Sequence, residues 1–275
     1  MPTTTQNAQW PFFELFGFPI WHSEAIYKEI RAGEYSCPFL QQRCLKKSHS
    51  TPLVPSGTCS IVKSGHPIII CPYRFYEKEK RLLFAVAEKI WPPKTNRALL
   101  VPNIKVTGAG NVDWFIVQSK KKSIEDFIGV EIQAIDITGS VQPALERFRS
   151  KLPPAGGDKF GINYKNVSKR MLPQLLEKGR CFKSWSKKLA VIVQDQLFED
   201  LKKRLGLKSI PLEAADIAFF VWAFNTSSDT QYTLELSQIF GMSHESLLTH
   251  IMYSDLPSLD EIKSKLKARM QKLGY

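Results

Sequence analysis

The chain has 275 residues, 43% hydrophobic and 23% charged, enough for one large domain or one domain with a small appendage. Lysine and arginine outnumber aspartate and glutamate 38 to 26, a formal net charge of +12, which points to a polyanionic partner, nucleic acid first. No apolar run of about 18 residues occurs, which excludes a membrane-spanning helix, and MPTTTQNAQWPFF lacks the basic start and long apolar core of a secretory signal, so a cytoplasmic protein is expected.

An aromatic-rich start (Trp10, Phe12, Phe13, Phe16, Phe18, Trp21) implies packing, and a helix follows, with Ser23 as N-cap and Gly33 as its end. From Cys37 to Cys71 the text turns rich in Pro, Ser, Gly and Lys and reads as loop and turn. It holds Cys37, Cys44, Cys59 and Cys71, separated by six, fourteen and eleven residues. Without an export signal, such a cluster is better explained by a metal than by disulfides. Four thiolates suit tetrahedral zinc or iron and would staple a segment with little core of its own. The remaining cysteine, Cys181, has no partner in sequence.

Residues 72–92 read as a helix with Leu82, Leu83, Val86 and Ile90 at helical spacing and Glu88 near its end. A short strand is expected at Ala98–Val101. Two apolar strands carrying acids follow, at 112–117 and 129–137. A turn with Lys120, Lys121 and Lys122 joins them, ambiguous between phosphate contact and solubility. A short helix at 143–152, a break at 153–157 and a basic helical segment with Lys165, Lys169 and Arg170 come next. Strand 187–193, helix 195–205 and strand 217–224 precede two C-terminal helices, 243–252 and 259–273. The last shows Leu259, Ile262, Leu266 and Met270 near helical spacing, for core packing or a dimer surface. The pattern predicts a mixed α/β fold with a central sheet.

Alternation along a strand puts Glu131 and Gln133 on one face, and pairing of the two strands brings Asp113 close to Glu131. Carboxylates are expensive in a buried strand unless paired or metal-bound. Two converging at a sheet edge suggest a divalent site, with Mg²⁺ as the hard cation. Gln133 can orient a water or a phosphate but cannot carry a proton or a charge. Glu88 reads either as a surface glutamate or as a third acid near the metal.

An acid at the end of one strand followed by Glu-x-Lys on the next resembles the PD-(D/E)xK nuclease superfamily, with Asp113 as the first acid and Glu131-Ile132-Gln133 carrying Gln in place of Lys. Together with the four cysteines and the string GAGNVDWFIV…GVEIQAIDITGS, it is similar to the NotI-type restriction endonucleases over roughly residues 35–140. The resemblance implies a restriction-endonuclease-like core at 76–275, with a central mixed sheet flanked by helices, behind a four-cysteine metal-binding region at 1–75. It implies a Type II endonuclease acting on double-stranded DNA as a homodimer. A GC-rich palindrome would be cut with Mg²⁺ to leave 5′ overhangs, with structural iron in the cysteine cluster and Glu88 as the upstream helical acid. A cognate methyltransferase is expected as a genetic partner. A non-catalytic metal-stapled DNA-binding module and a nuclease for damaged or modified DNA are the competing readings.

Overall fold

The computed structural model describes residues 10–46, 54–92, 98–154, 160–228, 230–253 and 257–274. The N-terminal part contains β1 (Phe12–Leu15), β2 (Phe18–Pro19), α1 (Ser23–Ala32), β3 (Ser36–Cys37), β4 (Gln42–Arg43), β5 (Thr58–Lys63) and β6 (His66–Ile69). A 3-10 turn at Pro72–Tyr76 leads into α2 (Glu77–Ile90). Next come β7 (Ala98–Val106), β8 (Gly110–Lys120), β9 (Ser123–Gln133), β10 (Ile137–Gly139), α3 (Gln142–Arg149), β11 (Phe160–Ile162) and α4 (Tyr164–Ser184). The chain continues through β12 (Lys188–Gln194), α5 (Asp195–Leu205), β13 (Ile217–Asn225), β14 (Thr233–Met242), α6 (His244–Tyr253) and α7 (Leu259–Lys272).

A six-stranded mixed sheet in the order β14-β13-β12-β9-β8-β7 forms the centre. β9, β12 and β13 run parallel, and the other pairings are antiparallel. Continuous apolar runs such as Leu189–Val193 suit the middle of such a sheet, because helices cover both faces. On one face Leu189, Val191 and Val193 pack with Met171, Leu175 and Phe182 of α4 and Leu197 and Phe198 of α5. On the other, Ala190, Ile192 and Phe220 pack with Leu82, Leu83 and Val86 of α2. A second sheet, β2-β1-β5-β6, places Phe12, Leu15, Ile61 and Ile68 in the same core as α4 and α5.

Several expectations shift at this level. The Cys-rich segment contains β5 and β6, each part of a sheet, where a loop was expected. The first helix begins at Ser23 itself, with His22 at the cap position. α2 opens with Lys78, Glu79 and Lys80 at positive φ, so its regular right-handed part starts at Arg81. The strand expected at 129–137 leaves the sheet after Gln133, because Ile135 N–H turns to Ile69 O (2.9 Å) and Ile137 starts the small β10-β11 pair. The break at 153–157 lies outside the described residues from Ala155 onward. No helix among the described residues is long and apolar enough to cross a membrane.

A buried charge network ties the N-terminal sheet to the far edge of the central one. Arg74 Nε donates to Glu14 on β1 at 2.9 Å, its Nη1 to Glu77, and its Nη2 to Tyr232 O at 2.9 Å. Glu77 in turn accepts from Arg81 and from the Leu234 backbone of β14. Arg74 and Glu14 are fully buried.

Candidate active site

Asp113 lies near the start of β8 and Glu131 near the end of β9. Trp114 pairs with Val130, so the two acids fall one step further along the same antiparallel pair. The site is therefore at the carboxyl end of β9, β12 and β13, where open α/β sheets form crevices for ligands. The Lys120–Lys122 turn closes the other end of the hairpin, roughly 20 Å away at about 3.3 Å per residue. Those lysines do not belong to this site.

Asp113, Glu131, Gln133, Asp136, Arg170 and Gln174 share the wall of one cavity of about 350 Å³. Asp113 is exposed at its mouth, and its Oδ2 accepts from Ile132 N–H at 2.9 Å. The protein packed around the carboxyl raises its pKa, against the opposing influence of that N–H and of Lys178. Glu131 is deeper. Its Oε2 lies 2.7 Å from Lys178 Nζ, and its Oε1 is buried with no hydrogen-bond partner. Burial first, and the Asp113 charge second, push Glu131 up to about 7 in spite of Lys178. Gln133 Nε2 donates to Ala134 O at 2.6 Å, and Arg170 pairs with Asp136 at 2.9 Å. Glu88 is exposed on α2, in the layer on the opposite face of the sheet, and does not line this cavity.

The charge and spacing of this wall come from α4 as much as from the strands. Arg170 and Gln174, four residues apart, line the wall, and Lys178, four residues further on the same stripe, touches Glu131 but does not itself line the cavity. Lys178 also falls among the buried positions Val167, Met171, Leu175 and Phe182. A lysine interrupting an apolar stripe was visible in the sequence; its partner was not. Gly129, two residues before Glu131, lets the helix lie close, since a Cβ there would come within 2.1 Å of the Phe182 ring.

The second cluster is the cysteine corner. Cys37 and Cys59 are buried together with Phe39, and Cys44 packs against them. Cys71 is near enough to feel the charges of Cys37, Cys44 and Lys46. Burial pushes Cys71 up to about 11 and Cys59 well above its ordinary value, so without a metal these thiols are protonated at neutral pH. Among the described residues, no three His, Cys, Asp or Glu side chains already stand in a metal-holding arrangement.

The family model for restriction endonuclease NotI matches residues 25–234, well over half of the chain and all of the site just described. The chain belongs to the NotI restriction endonuclease family. It is a Type II site-specific deoxyribonuclease, and DNA is its substrate. No curated protein matches this NotI-family chain. The matched span ends within β14, so α6 and α7 lie beyond it.

Proposed function

We propose that this NotI-family endonuclease hydrolyses both strands of a GC-rich palindrome, leaving 5′ overhangs, at a PD-(D/E)xK site in which Asp113 and Glu131 hold Mg²⁺. One observation carries the reading. The two carboxylates face one cavity, and Glu131 keeps a buried oxygen with no partner, an arrangement that a cation would satisfy. When bound, Mg²⁺ supplies charge neutralisation at the phosphate and makes a water easier to deprotonate. The chain's own residues do the rest. Asp113 and Glu131 would hold the cation, and Gln133 would orient the water or the phosphate through its amide. Glu88 stays outside this set.

The N-terminal 75 residues are the metal-stapled part and residues 76–275 the catalytic part in this reading. Cys37, Cys44, Cys59 and Cys71 would hold iron or zinc. The chemistry of the donor set suits such a cation, since Cys44 packs against Cys37 and Cys59 and Cys71 lies within reach of their charge. A bound cation would draw the thiols from their present spacing into a ligand set and favour the thiolates that burial opposes. Metal analysis of the purified protein is expected to give one iron or zinc per chain.

A homodimer matches the two-fold symmetry of a palindrome. α7 supports it. Leu259, Ile262, Leu266, Met270 and Leu273 form one apolar stripe on that helix, and all are exposed. Its acids, Asp260 and Glu261, lie in the first turn, and its basic residues follow, so an antiparallel second copy would meet each acidic end with a basic one. The experiment that tests the reading is sequencing of the ends made from a large mixed-sequence DNA with Mg²⁺. A single GC-rich palindrome with a fixed 5′ stagger is expected; blunt or scattered ends would contradict it.

A further inference from the structure

We infer that Lys178 is the cation of the cleavage site, delivered from α4 where Gln133 leaves the strand neutral. The inference rests on the reading of Asp113 and Glu131 as the catalytic pair. Phosphodiester hydrolysis builds negative charge on the phosphate oxygens, and a positioned cation lowers that barrier. Gln133 donates a hydrogen bond without a charge. Arg170 lines the same wall, but its side chain is 57% exposed and committed to Asp136.

Lys178 differs in three respects. Its side chain is 3% exposed, in a stripe where Leu175 and Phe182 show that an apolar residue would pack. An unpaired lysine there would be costly, so the site holds it through Glu131 at 2.7 Å. An ammonium has three protons, and Glu131 takes one; the other two have no partner among the described residues. The missing side chain at Gly129 brings α4 near enough for the lysine to span the gap. Lys178 does not itself line the cavity; it steadies Glu131 from within the protein with one proton, and its charge, which also reaches Asp113, acts on the phosphate oxygens that the pair would face.

The test compares Lys178→Met, Lys178→Arg and the double variant Gln133→Lys/Lys178→Met. Single-turnover cleavage with Mg²⁺ is measured beside DNA affinity in Ca²⁺ and melting temperature. Lys178→Met is expected to slow cleavage by roughly a hundredfold or more, with DNA affinity changed by less than about threefold. Moving the lysine to position 133 is expected to recover at least about tenfold, and Lys178→Arg to cut faster than Lys178→Met. A folded Lys178→Met that cuts within a few-fold of the parent overturns the inference. So does a folded double variant no faster than Lys178→Met, or a loss of DNA affinity that matches the loss of cleavage. Asp113→Asn separates the two levels: if it cuts normally the site itself is misplaced, whereas if it is inactive while Lys178→Met cuts, only the lysine's role fails.

Discussion

Asp113 Oδ2 accepts a hydrogen bond from the backbone N–H of Ile132 at 2.9 Å. Ile132 is the residue between Glu131 and Gln133, so the first acid holds the middle of the Glu-x-Gln segment. The flanking side chains are thereby kept on the cavity face. In the proposed site, loss of this carboxylate would remove a metal ligand and also loosen the strand end that carries the other two groups.

The raised pKa of Glu131 has a definite pH signature. Its folded value of about 7 exceeds its ordinary value of 4.5, so across that window the folded protein keeps a proton that the unfolded chain has released. Stability of the metal-free protein should fall as pH rises from 4.5 to 7, by at most about 3 kcal/mol, and level off above. Mg²⁺ needs the ionised form, so its stabilising effect should be greatest above pH 7 and fade below. Denaturant unfolding at several pH values, with EDTA and with Mg²⁺, measures both. A Mg²⁺ effect that grows towards pH 5 would contradict the assignment.

Arg74 shows what a buried ion network demands. Replacing it by Ala strands Glu14 and Glu77 without their cation and is expected to cost about 3–5 kcal/mol. The same change at exposed Arg31, 3.8 Å from Glu24, is expected to cost less than about 1 kcal/mol. Urea midpoints of the two variants give the comparison, and similar values would argue against the network.

Gly129 sets the distance between α4 and the sheet. Gly129→Val drives two methyl groups into Phe182 and is expected to cost about 1–3 kcal/mol. Because it pushes Lys178 away from Glu131, cleavage should fall more than the stability loss alone would cause. A variant that is destabilised yet cuts at the parental rate would show that the helix spacing is not used in catalysis.

The stripe of α7 gives a positional test of the dimer. Leu266 is at its middle, so an antiparallel pair about a two-fold axis brings the two copies of Leu266 together. Leu266→Cys should form an intermolecular disulfide on mild oxidation, while Ser264→Cys, on the opposite side of the helix, should add none to the parental background. Equal cross-linking at both positions would rule out this pairing. A dimer in solution with no cross-link at 266 would place the interface elsewhere.

Much of this fold was legible because local chemistry and tertiary packing agree. α5 runs from Asp195 to Leu205 as its acidic start and the following Gly206 suggest, and β12 and β13 are continuous apolar runs covered on both faces. β14 was missed although residues 233–237 alternate as a half-buried strand does; the alternation breaks at 238–242, and its irregular pairing with β13 sets its extent. β5 and β6 were hidden by the turn-forming residues around them, although they pair directly across Ser64 and Gly65, and β5 pairs with β1 on its other side. That Asp113, Glu131 and Gln133 face one cavity could be read because strand alternation places them. Lys178 could not, since its partner is set by how a distant helix crosses the sheet, which sequence spacing does not encode.

The most direct measurement is Mg²⁺-dependent cleavage of DNA carrying the recognition site by Asp113→Asn and Glu131→Ala, read beside DNA binding in Ca²⁺. Both variants should bind the site with affinity close to that of the parent and cut at least about a thousandfold more slowly. Normal cutting by either one would contradict the assignment of the cleavage site to this pair.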